Sequence, residues 1–180
     1  MHCVIQLNLG REVEDQIRSL WHALADYEIN PERLSETTPH VTVTSSTPFP
    51  LNRVTKDLAR IAKQSEPFEI AFSHLGVFQG KPMVLFLGVT HTAALTSLHR
   101  RLYDLISRSA EVFDFARPDV SVFHCTLGYF MQATGLSSAV EVVLDASLPR
   151  EVPVRGFDVV EYGETPRVLT SYALGESGAD

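Results

Sequence analysis

The order of apolar and polar positions changes period along this chain, and each change marks an element. From His2 to Leu9 it alternates, with Cys3, Ile5, Leu7 and Leu9 on one face and Val4, Gln6 and Asn8 on the other. That period predicts a strand. Between Arg11 and Tyr27 the spacing lengthens to Val13, Ile17, Leu20, Trp21 and Leu24, one stripe of a helix. Pro31 and Pro39 bracket a polar connection, and His40, Val41, Thr42, Val43 and Thr44 return to strand spacing. After Pro48–Pro50, Val54, Leu58, Ile61 and Ala62 mark a second helix that stops before Pro67. Residues 68–78 and 83–90 predict two strands joined by Gln79-Gly80-Lys81-Pro82, a hairpin-like turn. Thr92 offers an N-cap to a helix that turns Leu95, Leu98, Leu102, Leu105 and Ile106 inward. A loop through Pro118 leads to a strand over 120–130, then a helix over 136–148. Strands at 152–162 and 167–174, joined by Gly163-Glu164-Thr165-Pro166, complete the pattern, and the small acidic stretch Gly175–Asp180 is expected to fray.

This order states one theme twice. Helix, His-bearing strand, helix, strand, turn, strand runs through about 11–90 and again through 92–174. His40 and His124 are 84 positions apart, and so are the turn prolines Pro82 and Pro166. Few side chains match between the halves, so the repeat is faint, but a fixed period bears on fold before anything else does. It predicts an α+β fold: two pseudo-symmetric lobes of largely antiparallel sheet with flanking helices around a central cleft. Residues 1–180 then form a single domain, and each repeat unit brings one histidine to the cleft.

Composition narrows the partners. A chain of 180 residues that is 44% hydrophobic can bury a substantial core. Its formal charge of −7, from 15 Lys+Arg against 22 Asp+Glu, argues against a broad duplex-binding surface, which needs cations to neutralise phosphates. A nucleotide or the end of an RNA strand needs only a local pocket and fits better. No apolar run approaches the ~18 residues of a membrane span, and no basic region followed by a long apolar stretch opens the chain. A cytoplasmic monomer with no membrane partner is therefore expected. Two cysteines, Cys3 and Cys125, are too few for a disulfide framework or a Cys-based zinc site and read as small buried hydrophobes. No His or carboxylate spacing suits a metal, so neither metal nor other cofactor is expected.

The candidate chemistry lies in the two His strands. His40-Val41-Thr42-Val43 and His124-Cys125-Thr126-Leu127 share the order His, apolar, Thr, apolar, and none of the other five of the seven histidines begins it. On a strand His and Thr then point one way and the apolar pair the other. Strict alternation makes His40, Thr42, Thr44 and Ser46 one polar face. In the second strand it leaves His124, Thr126 and Gly128 facing out, with Phe123, Cys125, Leu127 and Tyr129 in the core. Tyr129 is close enough to the motif to remain a candidate substrate contact, as are Lys81, Arg117 and Phe130. A cysteine nucleophile is disfavoured because Cys125 falls on the opposite face from His124.

Two imidazoles and two hydroxyls suit phosphodiester cleavage. That reaction needs a base to activate water, an acid to protonate the leaving oxygen and donors to hold the phosphate. A histidine pair supplies the first two near neutral pH, and Thr42 and Thr126 supply the third. The residues alone do not say which imidazole is the acid.

These motifs, with Pro39 before the first, Leu75-Gly76-Val77-Phe78, the Val84–Gly88 strand and Gly128 after the second, resemble the two-histidine (2H) phosphoesterase superfamily. Within it the chain looks like the LigT-like group, often labelled RNA 2′,3′-cyclic phosphodiesterase or 2′-5′ RNA ligase. The resemblance covers nearly the whole chain. It implies two lobes about an open cleft, metal-independent hydrolysis of a 2′,3′-cyclic phosphate or related ribose phosphodiester, His40 as acid, His124 as base and Phe78 as a base-stacking residue. The chain departs from the group after the second motif, where many relatives carry a basic residue and this one has Gly128-Tyr129-Phe130. A phosphodiesterase of small nucleotides, such as a cyclic ADP-ribose phosphate or a 2′-5′ oligoadenylate, is the alternative enzyme. A non-catalytic nucleotide or RNA-end binding module is the alternative outside catalysis.

Overall fold

The computed structural model describes residues 1–27, 34 and 37–175; Pro31 of the expected connection and the acidic residues 176–180 lie outside them. Among the described residues eight strands and four α-helices follow one another: β1 (Cys3–Leu7), α1 (Arg11–Leu24), β2 (Val41–Ser46), α2 (Leu51–Lys63), β3 (Phe68–Phe78), β4 (Met83–Val89), α3 (Ala93–Ser107), β5 (His124–Phe130), α4 (Ala133–Asp145), β6 (Glu151–Val154), β7 (Gly156–Glu161) and β8 (Arg167–Ala173). A 3₁₀ turn at Asp114–Ala116 precedes β5. The strands form two four-stranded sheets, ordered β2-β1-β7-β8 and β5-β4-β3-β6, with every pairing antiparallel. The α+β expectation is met. Among the described residues no helix is long and apolar enough to cross a membrane.

The predicted helical stripes are the buried ones. Val13, Ile17, Leu20, Trp21 and Leu24 of α1 are buried, and so are Val54, Leu58, Ile61 and Ala62 of α2. Each Val, Leu or Ile among them contributes about 1.5–3 kcal/mol on leaving water. The Thr92 hydroxyl accepts from the Leu95 N–H at 3.2 Å, the cap expected for α3.

Several boundaries move for local reasons. The helix expected to reach Tyr27 ends at Leu24, and α4 spans Ala133–Asp145 in place of 136–148. The strand expected over 120–130 starts only at His124, because the Val122 carbonyl is taken by the His124 ring at 2.7 Å rather than by a neighbouring strand. The single strand expected over 152–162 is two, broken at Arg155. There the chain leaves β3, where Val152 pairs with Ile70, and joins β1, where Phe157 pairs with Leu7. Gly156 makes that crossing possible: a Cβ on it would lie 2.6 Å from the Tyr172 carbonyl oxygen of β8.

The sheets are not the two halves of the chain. Repeat unit 11–90 supplies β2 to one sheet and β3–β4 to the other, while 92–174 supplies β5–β6 and β7–β8 in the same divided way. The helices exchange as well. From the first half α1 packs on β5, and from the second α3 packs on β2.

Both His strands carry one extra residue at the same point of the motif. On β2, Thr42 pairs with Gln6 but Thr44 with Ile5, so Val43 has no opposite number. On β5, Thr126 pairs with Phe86 but Gly128 with Leu85, leaving Leu127 unmatched. Such a bulge reverses the face of every later side chain. Thr44 and Ser46, expected beside His40 and Thr42, are therefore fully buried. On β5 the reversal works the other way: Phe130 is buried at 1% exposure and Tyr129, a core residue under strict alternation, lines the groove.

Candidate active site

β2 and β5 are the edge strands of their sheets and adjoin each other. Between them lies a groove of about 490 Å³ lined by His40, Thr42, His124, Thr126, Tyr129 and Tyr162, among others. The two motifs predicted to meet do so.

The imidazoles are held alike. His40 Nδ1 lies 2.7 Å from the Thr38 carbonyl oxygen, and His124 Nδ1 lies 2.7 Å from that of Val122. A carbonyl only accepts, so Nδ1 carries the proton in both rings, and Nε2 is left to meet a ligand. Burial pushes both imidazoles below the ordinary histidine range, while the Thr38 and Val122 carbonyls pull the other way. His124 adds a like-charge push on His40. The pair is thus biased toward the neutral form, and charging one ring makes charging the other harder.

Helix α1 braces both motifs at once. Trp21 Nε1 donates to the Thr126 carbonyl at 3.0 Å. Arg18, stacked 5.9 Å from the centroid of Trp21, donates to the Thr37 carbonyl at 3.1 Å, three residues before His40. Cys125 lies at the back of the groove with its thiol pushed up to about 12 by burial. A thiol so protonated is a poor nucleophile.

Past His124 the groove opens into a second recess of about 400 Å³, lined mainly by apolar side chains including Phe78, Phe115 and Val122. Phe78 meets the His124 ring edge to face at 4.8 Å and stacks on Phe86 at 4.3 Å. Gly76 leaves room for this, since a Cβ there would come 2.2 Å from Phe86 Cζ. Lys81 and Arg117, candidates from the sequence, line neither recess; Arg117 is paired with Asp119 at 2.8 Å. Among the described lining residues none is Lys or Arg, and Glu164 is the acid.

Sequence reasoning passed over Tyr162. Its hydroxyl lies 3.4 Å from His40 Nε2, and burial pushes the phenol upward, keeping it protonated. A signal was present: Tyr162 stands 84 positions after Phe78, the period that relates the histidines.

The profile of the 2′-5′ RNA ligase superfamily matches residues 10–166. Among solved structures, E. coli LigT complexed with NADP+ superposes with a TM-score of 0.60 at 14% identity, over 97% of this chain and 98% of that one. LigT complexed with 3′-AMP gives 0.58 at 14% identity over the same shares. A structure described as a phosphoesterase gives 0.57 at 17% identity, again over 97% and 98%. At these identities the likeness is one of fold. No curated protein sequence matches. The profile match spans most of the chain, and this protein belongs to the 2′-5′ RNA ligase superfamily of two-histidine phosphoesterases, which act on RNA and nucleotide phosphodiesters.

Proposed function

We propose that this protein hydrolyses a 2′,3′-cyclic phosphate or a related ribose phosphodiester, at an RNA end or on a nucleotide, through His40 and His124. The observation that carries the reading is the pair of imidazoles lining one groove, each fixed through Nδ1 to a backbone carbonyl with Nε2 left for chemistry. In this reaction one Nε2 takes a proton from water as the water oxygen bonds to phosphorus. The other Nε2 gives its proton to the ribose oxygen as that P–O bond breaks. The two rings finish with their protonation states exchanged and reset through solvent. Thr42 and Thr126 donate hydroxyls to the non-bridging oxygens, where charge builds.

The size of the groove supports a nucleotide, and E. coli LigT, similar in fold, has been crystallised with 3′-AMP and with phosphate. The second recess beyond His124 favours one further reading, a small-nucleotide phosphodiester such as a 2′-5′ oligoadenylate, with a group on each side of the phosphate. Assaying 2′,3′-cyclic mononucleotides beside 2′-5′ dinucleotides decides between the two.

Turnover is expected to survive EDTA. Among the described residues no three His, Cys, Asp or Glu side chains gather into a metal-holding group. Loss of activity on chelation, with recovery on adding one divalent metal, would overturn the two-histidine mechanism. Replacing Thr42 or Thr126 by Ala should lower kcat/KM by roughly 10–150-fold, the equivalent of about 1.5–3 kcal/mol for a hydrogen bond to a charged group. Full activity in both variants removes the threonines from the phosphate site.

A further inference from the structure

A third histidine lines the groove. The alternation that turns Cys3, Ile5 and Leu7 of β1 into the core carries Val4 and, just before the strand, His2 to the groove side. Three neighbours hold the His2 ring. Its Nε2 lies 2.9 Å from Ser45 Oγ, Phe113 meets it edge to face at 5.3 Å, and the tilted ring of Tyr162 lies 6.0 Å away. The holders are themselves tied in. The Phe113 N–H donates to the Ser45 carbonyl and the Tyr162 N–H to that of His2, both at 3.0 Å. Ser45 is fully buried, and it faces His2 because the bulge at Val43 reverses the side chains that follow it. Among the described residues no protein group meets the other ring nitrogen, Nδ1.

We propose that His2 is a substrate-binding residue, presenting Nδ1 to a phosphate on the 5′ carbon of the ribose that carries the scissile group. The inference rests on the phosphodiesterase reading above. The two flanks of the groove differ in chemistry. Beyond His124 stand the stacked rings of Phe78 and Phe86 and the apolar recess, which suit a nucleobase. Beyond His40 stands Tyr162, at 6.3 Å, and next to Tyr162 stands His2. A ribose fits across these flanks in one sense. Its base leaves from C1′ and its 5′ carbon from C4′, on opposite sides of the 2′,3′ edge. A base drawn toward Phe78 therefore turns the 5′ substituent toward His2. None of the described lining residues is Lys or Arg, so with His40 and His124 committed to the scissile phosphate, the His2 imidazole is the group that can bring positive charge there. Facing an anion, an imidazolium donates from both nitrogens. Nδ1–H goes to the phosphate and Nε2–H to Ser45 Oγ, while Ser45 sends its own proton to the Cys3 carbonyl at 3.4 Å. Glu164 on the same wall opposes an anion, but it is exposed, where water and salt screen its charge.

The test measures kcat/KM on nucleoside 2′,3′-cyclic phosphates that carry either a 5′-phosphate or a 5′-hydroxyl. Wild type should favour the 5′-phosphate by about tenfold, the low end for a hydrogen bond to a charged group, because His2 is partly exposed. His2→Phe keeps the ring packing and should lose that preference, through KM rather than kcat. Two further variants separate ligand binding from a structural role. Asparagine carries a donor near the place of Nδ1, and glutamine one near that of Nε2. His2→Asn should therefore retain part of the preference, and His2→Gln, which still reaches Ser45, should lose it. No preference in wild type, a preference that survives His2→Phe, or retention by His2→Gln in place of His2→Asn overturns the proposal. If wild-type protein turns over no phosphodiester, the functional reading fails by itself. Calorimetric binding of a nucleoside 3′,5′-bisphosphate against the 3′-monophosphate then decides the role of His2, and no gain in affinity from the 5′-phosphate overturns it.

Discussion

Replacing either His40 or His124 by alanine is expected to cut turnover of a cyclic phosphate by about 10²–10⁴, the usual worth of general acid–base catalysis. The double variant should be scarcely worse than the poorer single one. The reason is the geometry of the pair: with one imidazole gone, the other has no partner to complete the exchange of protons across the phosphate, and groups acting as a unit do not add. Both variants should fold, since each ring is only partly buried and His40→Ala leaves the β1–β2 ladder untouched. Turnover measured on the two singles and the double settles the matter. If either single variant retains near-native activity, the paired mechanism is lost, and a nucleotide or RNA-end binding module becomes the better account.

The largest effect on stability is expected at Trp21, which has 7% of its surface exposed and ties α1 to β5 through the Thr126 carbonyl. Trp21→Ala should cost about 3–5 kcal/mol, the lost burial and the cavity together. For a chain of this size that lowers the melting temperature by about 10 °C. Trp21→Phe keeps most of the apolar contact and loses the indole N–H, so about 1 kcal/mol is expected. Its effect on kcat should exceed its effect on stability, because the carbonyl it releases belongs to the motif itself. Unchanged melting of Trp21→Ala would show that α1 is not the brace described.

Periodicity reached far into this fold and then stopped at definite points. Helical stripes such as Val13 to Leu24, and the opening strand, were legible because a face buried along its whole length keeps one period. The fixed interval of 84 was legible too, and with it the meeting of His40 and His124. Val43 and Leu127 were not: a bulge adds a residue without altering composition, so alternation misplaced Thr44, Ser46 and Tyr129 together. Arg155 was hidden for a similar reason. The apolar series of Val152 and Val154 changes phase at Phe157 and Val159, but a change of phase marks a break without saying that the two strands serve different sheets. Phe78 and Tyr162 mark the finest limit, since the interval relates them but only the structure shows a hydroxyl 3.4 Å from His40 Nε2.

The exchange of strands between halves has a consequence in time. β1 is bordered on one side by β7, with Leu7 opposite Phe157 and Cys3 opposite Glu161, about 150 residues further along the chain. On a ribosome adding 5–20 residues each second, roughly 8–30 s separate these partners. Throughout that interval one edge of β1 is unpaired and its apolar face lacks half its sheet, a state open to wrong pairing with other chains. Contacts so distant in sequence also slow the search after release. Neither half holds a complete sheet, so neither has a stable resting point to fold to first, and the molecule assembles late and all together.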